Sequence, residues 1–257
     1  MEARFTGQVA VVTGGAGGLG VAIAHALGRE GASVSLLDTN QDAIASAVEG
    51  LRAEGITAGG FAADVRDPGS VDSAIDQTVS QIGAPTILIA AAGGSLGTPR
   101  DIDDISPADL DLVIDVNVKG TYYCSAAVLP HMKAAGGGSI VTFSSIGGRS
   151  TSPVTGVPYA AAKAGILGLT RRLAREVGPD GIRVNAIAPG LFLTGRLQGM
   201  FDEMSEHDRN EVLDSIPLRR MPEIEECVEP VLFLASTQSS YVTGAVLDVN
   251  GGRFMAG

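Results

Sequence analysis

Short apolar runs alternate with longer amphipathic ones through most of this chain, and that alternation narrows the fold more than any other feature. Apolar and small residues fill 9–12, 33–37, 59–62 and 87–91, and between them 19–29, 44–53 and 71–82 carry apolar residues at helical spacing. Strands that are apolar throughout, rather than at every second position, are buried on both faces, which is the pattern of a parallel sheet covered by helices on either side. The second half continues the rhythm with a helix over 110–132, a strand over 139–143, a helix over 159–177 and a strand over 182–188, then a helix over 224–234 and a last strand over 245–249. The expected fold is α/β, a doubly wound parallel sheet of about seven strands. After Pro189-Gly190 the rhythm breaks into a mixed stretch, 191–221. A connection of that length inside a compact domain is more often functional than idle, and it reads as a substrate lid.

Nothing divides the chain. It has 257 residues, 45% of them hydrophobic, with no Pro-, Ser- or charge-rich linker and no internal repeat, so the reading is one domain spanning 1–257. A net charge of -11 gives no basic footprint for nucleic acid. The two cysteines, Cys124 and Cys227, lie far apart in sequence and have only His25, His131 and His207 to join them, so neither a disulfide nor a metal site is expected. No apolar run reaches membrane-spanning length and the first residues lack a signal-peptide pattern, which points to a cytoplasmic protein without a membrane partner.

Thr13-Gly14-Gly15-Ala16-Gly17-Gly18-Leu19-Gly20 follows the first strand and opens the first helix. Glycines there let the backbone turn tightly and approach a ligand, and the helix start offers unpaired N–H groups to a pyrophosphate. Asp38 ends the second strand, where a carboxylate can accept hydrogen bonds from a ribose diol and would repel a 2'-phosphate. No Arg or Lys occurs within 14–20 or at Thr39 and Asn40, so NAD is preferred over NADP. Asp64-Val65 closes the third strand; it either contacts the adenine or caps the strand end.

Tyr159 and Lys163 stand four residues apart in the helix over 159–177 and so share a face. A free phenol ionises near pH ~10, and a neighbouring ammonium favours the phenolate, as acid/base work near neutrality requires. Ser145 lies upstream at the end of the strand over 139–143, and Asn117 within the helix over 110–132.

In this order, TGxxxGxG at 13–20, Asp64-Val65, Asn117 in Asp115-Val116-Asn117-Val118, Ser144-Ser145, Tyr159 with Lys163, Pro189-Gly190 with Thr194, and Thr243-Gly244 leading to Asn250-Gly251-Gly252 resemble the short-chain dehydrogenase/reductase family over essentially the whole chain. The resemblance implies a Rossmann fold. It implies a catalytic group of Asn117, Ser145, Tyr159 and Lys163. Tyr159 would move the proton of an alcohol or carbonyl, Lys163 would lower its pKa, Ser145 would hold the substrate oxygen, and Asn117 would distort its helix and fix a water. Cofactor contacts are implied at Gly14, Gly18, Leu19, Gly20, Asp38, Asp64, Val65, Ala92, Gly93, Tyr159, Lys163, Pro189, Gly190 and Thr194. One element departs: Ala90-Ala91-Ala92-Gly93 stands where the family usually has Asn-Asn-Ala-Gly, which removes a side-chain contribution to the sheet but no proton-transfer group.

The implied activity is an NAD-dependent interconversion of a secondary alcohol and a ketone, acting on CH–OH donors, with a homotetramer built on the helices over 110–132 and 159–177. Ser95, Ser145, Arg149, Phe192 and Leu193 are the candidate substrate contacts. Phe192, Leu193, Leu197, Met200 and Phe201 favour a small apolar, cyclic or polyol-type alcohol; Arg149 and Arg196 either hold an anionic group or are solvated. A 3-oxoacyl-thioester reductase of the acyl carrier protein type is the alternative, followed by an inactive NAD-binding regulatory protein.

Overall fold

A computed structural model describes residues 3–151, 155–194 and 196–256, the side chains of residues 196, 197, 200 and 208 excepted. Seven strands, β1 (Val9–Thr13), β2 (Ser33–Asp38), β3 (Ala58–Ala62), β4 (Ile87–Ala90), β5 (Gly138–Phe143), β6 (Ile182–Pro189) and β7 (Val246–Val249), form one parallel sheet in the order β3-β2-β1-β4-β5-β6-β7. Helices α1 (Gly18–Arg29), α2 (Gln41–Ala53), α3 (Pro68–Gln81), α4 (Pro107–Ile114), α5 (Gly120–Ala134), α6 (Val157–Val177), α7 (Arg196–Glu203), α8 (Glu206–Asp214) and α9 (Glu225–Ala235) complete the chain. The doubly wound parallel sheet read from the apolar runs is the fold observed.

Successive strand residues point to opposite faces, and the core divides accordingly. Ala10 and Val12 of β1, Ile87 and Ile89 of β4, and Val141 and Phe143 of β5 pack with Ile23 and Leu27 of α1, Ile44 and Leu51 of α2, and Val231 and Leu232 of α9. Val11, Leu88 and Ile140, the neighbours in sequence, pack on the other face with Val71 and Ile75 of α3, Val128 and Met132 of α5, and Ala174 and Val177 of α6. Two cores make most strand positions apolar, and the polar exceptions are buried and bonded, as Ser35 is to Thr78 at 2.6 Å.

Strand order reverses between β1 and β4, and the loops leaving their carboxyl ends flank that point, where open α/β sheets bind ligands. The two loops are joined: the Ala92 amide donates to Thr13 Oγ1 at 3.1 Å. The helix expected over 110–132 is α4 and α5 joined through one wide turn of π-helix, Asp115–Lys119, with Asn117 buried at its centre. Two helices, α7 and α8, occupy the segment read only as a mixed stretch. Among the described residues no helix is long and apolar enough to cross a membrane.

Candidate active site

The glycine-rich turn has the shape that the backbone argument demands. Gly14 takes φ +65, and a Cβ there would lie 3.0 Å from the Ala92 backbone; a Cβ on Gly20 would come within 2.2 Å of the Gly14 carbonyl oxygen. Helix α1 begins at Gly18 after an N-cap, Gly17, that has no side-chain cap, so its first amides remain available to an anion. This turn opens into a cleft of about 570 Å³ lined by Gly14, Gly18, Leu19, Gly20, Asp38, Asp64, Val65, Ala92 and Gly93, with Arg66, Leu112 and Val116. Bare glycine backbone, capless amides and a carboxylate at the far end fit a dinucleotide. Thr194 closes one side: a Cβ on Gly18 would lie 3.0 Å from its side chain.

Asp38 is oriented by its own neighbours, accepting from the Ala16 amide (3.2 Å) and the Asn40 amide (3.2 Å). Asp64 is engaged in its own turn. Its carboxylate accepts from the Arg66 backbone amide at 2.9 Å and pairs with the Arg66 guanidinium at 2.6 Å, which holds it below the usual carboxylate range. The strand-end cap is therefore present, on the wall of the same cleft.

Ser145, Tyr159, Lys163 and Asn117 converge at the carboxyl ends of β4 and β5. Ser145 follows β5 and opens a single 3-10 turn, Ile146–Gly148. Tyr159 lies in the first turn of α6, which Pro158 helps to start, close enough to Ser145 for that side chain to favour its phenolate. Lys163, one turn on and 4% exposed, donates from Nζ to the Phe143 carbonyl at 2.8 Å, with Nζ 5.6 Å from the Tyr159 ring centroid. Asn117 bridges the loop after β4: its amide donates to the carbonyls of Gly94 (3.0 Å) and Val113 (2.8 Å), and its Oδ1 accepts from the Gly94 amide (3.0 Å). A Cβ on Gly93 would lie 2.4 Å from Asn117 Oδ1 and 3.3 Å from Lys163 Nζ, so that loop passes closely beside both groups.

Burial pushes both titrating groups toward neutrality. It raises the Tyr159 phenol, against which the Ser145 hydrogen bond acts, and it lowers Lys163 to about 7. In this structure the phenol therefore sits above its ordinary value, with Ser145 offsetting part of the rise, and Lys163 changes charge near neutral pH.

Residues 14–253 match the family profile described as Enoyl-(Acyl carrier protein) reductase. Over 97% of its length the chain is 41% identical to an uncharacterized short-chain type dehydrogenase/reductase of Sinorhizobium fredii, covering 98% of that protein. The chain belongs to the short-chain dehydrogenase/reductase family. This dehydrogenase/reductase is also 37% identical to a cyclohexanol dehydrogenase of Rhodococcus sp., over 96% of each chain. It superposes with a TM-score of 0.90 on a gluconate 5-dehydrogenase from Burkholderia cenocepacia in complex with NADP and tartrate, at 30% identity, covering 98% of this chain and 97% of that one. It is accordingly an oxidoreductase of a family that binds a nicotinamide cofactor.

Not every expected residue of the dehydrogenase/reductase joins the site. Arg149, one of the candidates for an anionic group, pairs with Asp248 at 3.2 Å and lies over the Phe254 ring, its guanidinium carbon 5.1 Å from the centroid. Phe192 is buried in the core beside α9 and lines a separate cavity of about 340 Å³ with Gly190, Ile216, Leu218 and Phe254. Pro189 ends β6, while Leu193 is half-buried next to Thr194, and Ser95 sits in a turn whose carbonyl accepts from Thr98. The side chains of Arg196, Leu197 and Met200 lie outside the described residues. Leu96, read from the sequence with Ser95 as pocket lining, is on the cleft wall, and so are Arg66, Leu112 and Val116, which the sequence does not single out. The signal for Arg66 is its position directly after Asp64-Val65.

Proposed function

We propose that the chain interconverts a secondary alcohol and a ketone with NAD, using Tyr159 as the acid/base. The observation that carries this reading is the buried Lys163 ammonium nitrogen 5.6 Å from the Tyr159 ring, with Ser145 acting on the same phenol, beside a cleft fitted for a dinucleotide. Oxidation of an alcohol removes a hydride from carbon and a proton from oxygen. The nicotinamide ring, when bound, supplies the hydride acceptor or donor. Tyr159 Oη takes or returns the proton, and Ser145 Oγ holds the substrate oxygen where charge develops. Lys163, titrating near 7, adds a positive field close to the phenol when charged and favours the phenolate. Asn117 fixes the loop at Gly93-Gly94 that passes between it and Lys163.

Asp38 supports NAD. Its carboxylate faces the cleft, and the one guanidinium on the cleft wall among the described residues, that of Arg66, is engaged with Asp64. The likeness to a cyclohexanol dehydrogenase and a gluconate 5-dehydrogenase supports a small cyclic or polyol-type alcohol as substrate. Leu110, Tyr122 and Val157, large apolar side chains exposed on α4, α5 and α6, support a homotetramer assembled on those helices, which sizing in solution tests.

A panel of cyclic, aliphatic and polyol alcohols, with their ketones and an acetoacetyl thioester, followed by absorbance of the reduced cofactor with NAD and NADP in parallel, tests the whole reading. Tyr159→Phe should lower kcat about 10²–10⁴-fold. Full turnover by that variant refutes the acid/base assignment, better use of NADP refutes the Asp38 argument, and NADH binding without turnover on any substrate points to a regulatory protein.

A further inference from the structure

Ser145 opens a turn that has little stiffness of its own. The next residues are Ile146-Gly147-Gly148, and two adjacent glycines leave the backbone free to take other conformations. Internally the turn is held by the Gly147 amide on Ser145 Oγ (3.1 Å), the Gly148 amide on the Ser145 carbonyl (3.0 Å) and the Arg149 and Ser150 amides on the Ile146 carbonyl (3.0 and 2.9 Å). On one flank it rests on α6: a Cβ on Gly148 would lie 2.5 Å from the Lys163 carbonyl carbon, and Ser144 Oγ donates to the Lys163 carbonyl at 2.8 Å.

The other flank is closed by Arg149. Its guanidinium reaches Asp248 of β7 at 3.2 Å and covers the Phe254 ring, and both side chains of the ion pair are four-fifths buried. Phe254 is itself anchored, because its amide donates to Asn250 Oδ1 (3.3 Å) and its carbonyl accepts from Asn250 Nδ2 (3.1 Å). Asp248 depends on the arrangement in turn: its second oxygen is buried without a partner, and Arg149 opposes the upward push of burial on its carboxyl. Removing either charge leaves the other one poorly solvated.

We propose that Arg149, clamped between Asp248 and Phe254, is a positioning residue that fixes the Ser145 turn and with it the place of the Ser145 hydroxyl in the site. The inference rests on the roles given above to Ser145 and Tyr159. It replaces the sequence expectation of an anion-binding Arg149 with a role exerted through Ser145, across the sheet from β5 to β7 and the C-terminal tail.

The test is a mutant cycle, measured with NAD and cyclohexanol, or with the panel alcohol that turns over fastest. Arg149→Met should lower kcat roughly tenfold to a hundredfold through misplacement of Ser145, with KM for NAD changed less than about twofold. Arg149→Lys should restore part of the loss. The combination Ser145→Ala with Arg149→Met should be no slower than Ser145→Ala alone, since a residue acting through Ser145 has nothing left to position. A wild-type kcat in Arg149→Met, or losses that multiply in the double variant, overturns the proposal. Asp248→Asn and Phe254→Leu carry the same cycle if Arg149→Met does not fold. An unchanged kcat in Ser145→Ala, or no alcohol turned over at all, sinks the proposed function itself; a strong Ser145→Ala effect with multiplying losses sinks only the clamp.

Discussion

Replacing Lys163 by methionine should abolish activity and at the same time make stability less dependent on pH. Lys163 is 4% exposed, its one hydrogen bond among the described residues goes to the Phe143 carbonyl, and no carboxylate pairs with it there. Burial lowers its pKa from 10.5 to about 7. Between those values the unfolded chain carries a proton at this side chain that the folded chain has released. Unfolding free energy therefore rises with pH across that window, by up to about 1.4 kcal/mol per pH unit. At pH 7 and below the cost of burying Lys163 is fully present, on the order of 4–5 kcal/mol at most; by pH 10 it has largely gone. Methionine keeps much of the chain's shape, has no proton to lose and leaves the Phe143 carbonyl without its donor, which costs about 1–3 kcal/mol at every pH. Urea unfolding of both proteins at pH 7, 8, 9 and 10 and one concentration measures the difference, in which the other titrating groups cancel. The methionine variant should be favoured most at pH 7 and lose ground by about 1 kcal/mol per pH unit as pH rises. Parallel curves would refute the reasoning, since they would mean that Lys163 keeps its proton in the fold.

The turn and the thiols offer two further checks. Gly20→Ala puts a Cβ 2.2 Å from the Gly14 carbonyl oxygen, a backbone clash that only opening of the turn relieves; it should cost about 1–3 kcal/mol and abolish NADH binding in a fluorescence titration, and wild-type affinity would show that the turn does not carry the cofactor. Cys124 and Cys227 are buried with thiols pushed up to about 12, so a disulfide-exchange reagent at pH 8 should label neither in the native protein and both after unfolding; rapid native labelling of either would contradict that burial.

The sheet could be read from the sequence because most strands carry their own signal: residues facing both cores are mostly apolar, and β1 and β4 show it within five and four residues. The glycine turn was legible for the same reason, as the clash at Gly20 involves Gly14 only six positions away. Features created by distant partners were less visible. The residues of 110–132 read by themselves as one continuous helix; its distortion at Asn117 is implied only by the family resemblance, and its physical cause, the bonds from Asn117 to the Gly94 backbone, is a distant contact. Helix α8 carries little helical apolar periodicity, while Phe192 at the start of the segment leaves the expected lid for the core beside α9.

Arg149 shows how the same limit acts on function. Read locally, a guanidinium four residues beyond Ser145 is a free cation near a reacting centre, and an anionic ligand is the natural partner for it. Asp248 lies 99 positions further on, in a strand whose place beside β6 exists only once the sheet has formed. Folding thus supplies the counter-charge before any substrate arrives, and with two-thirds or more of each side chain hidden, separating that pair to serve a ligand would leave Asp248 buried with no cation beside it. An arginine held at that cost serves better to fix the glycine-flanked turn next to Tyr159 than to greet an anion, and this is why the same residue changes role between sequence and structure.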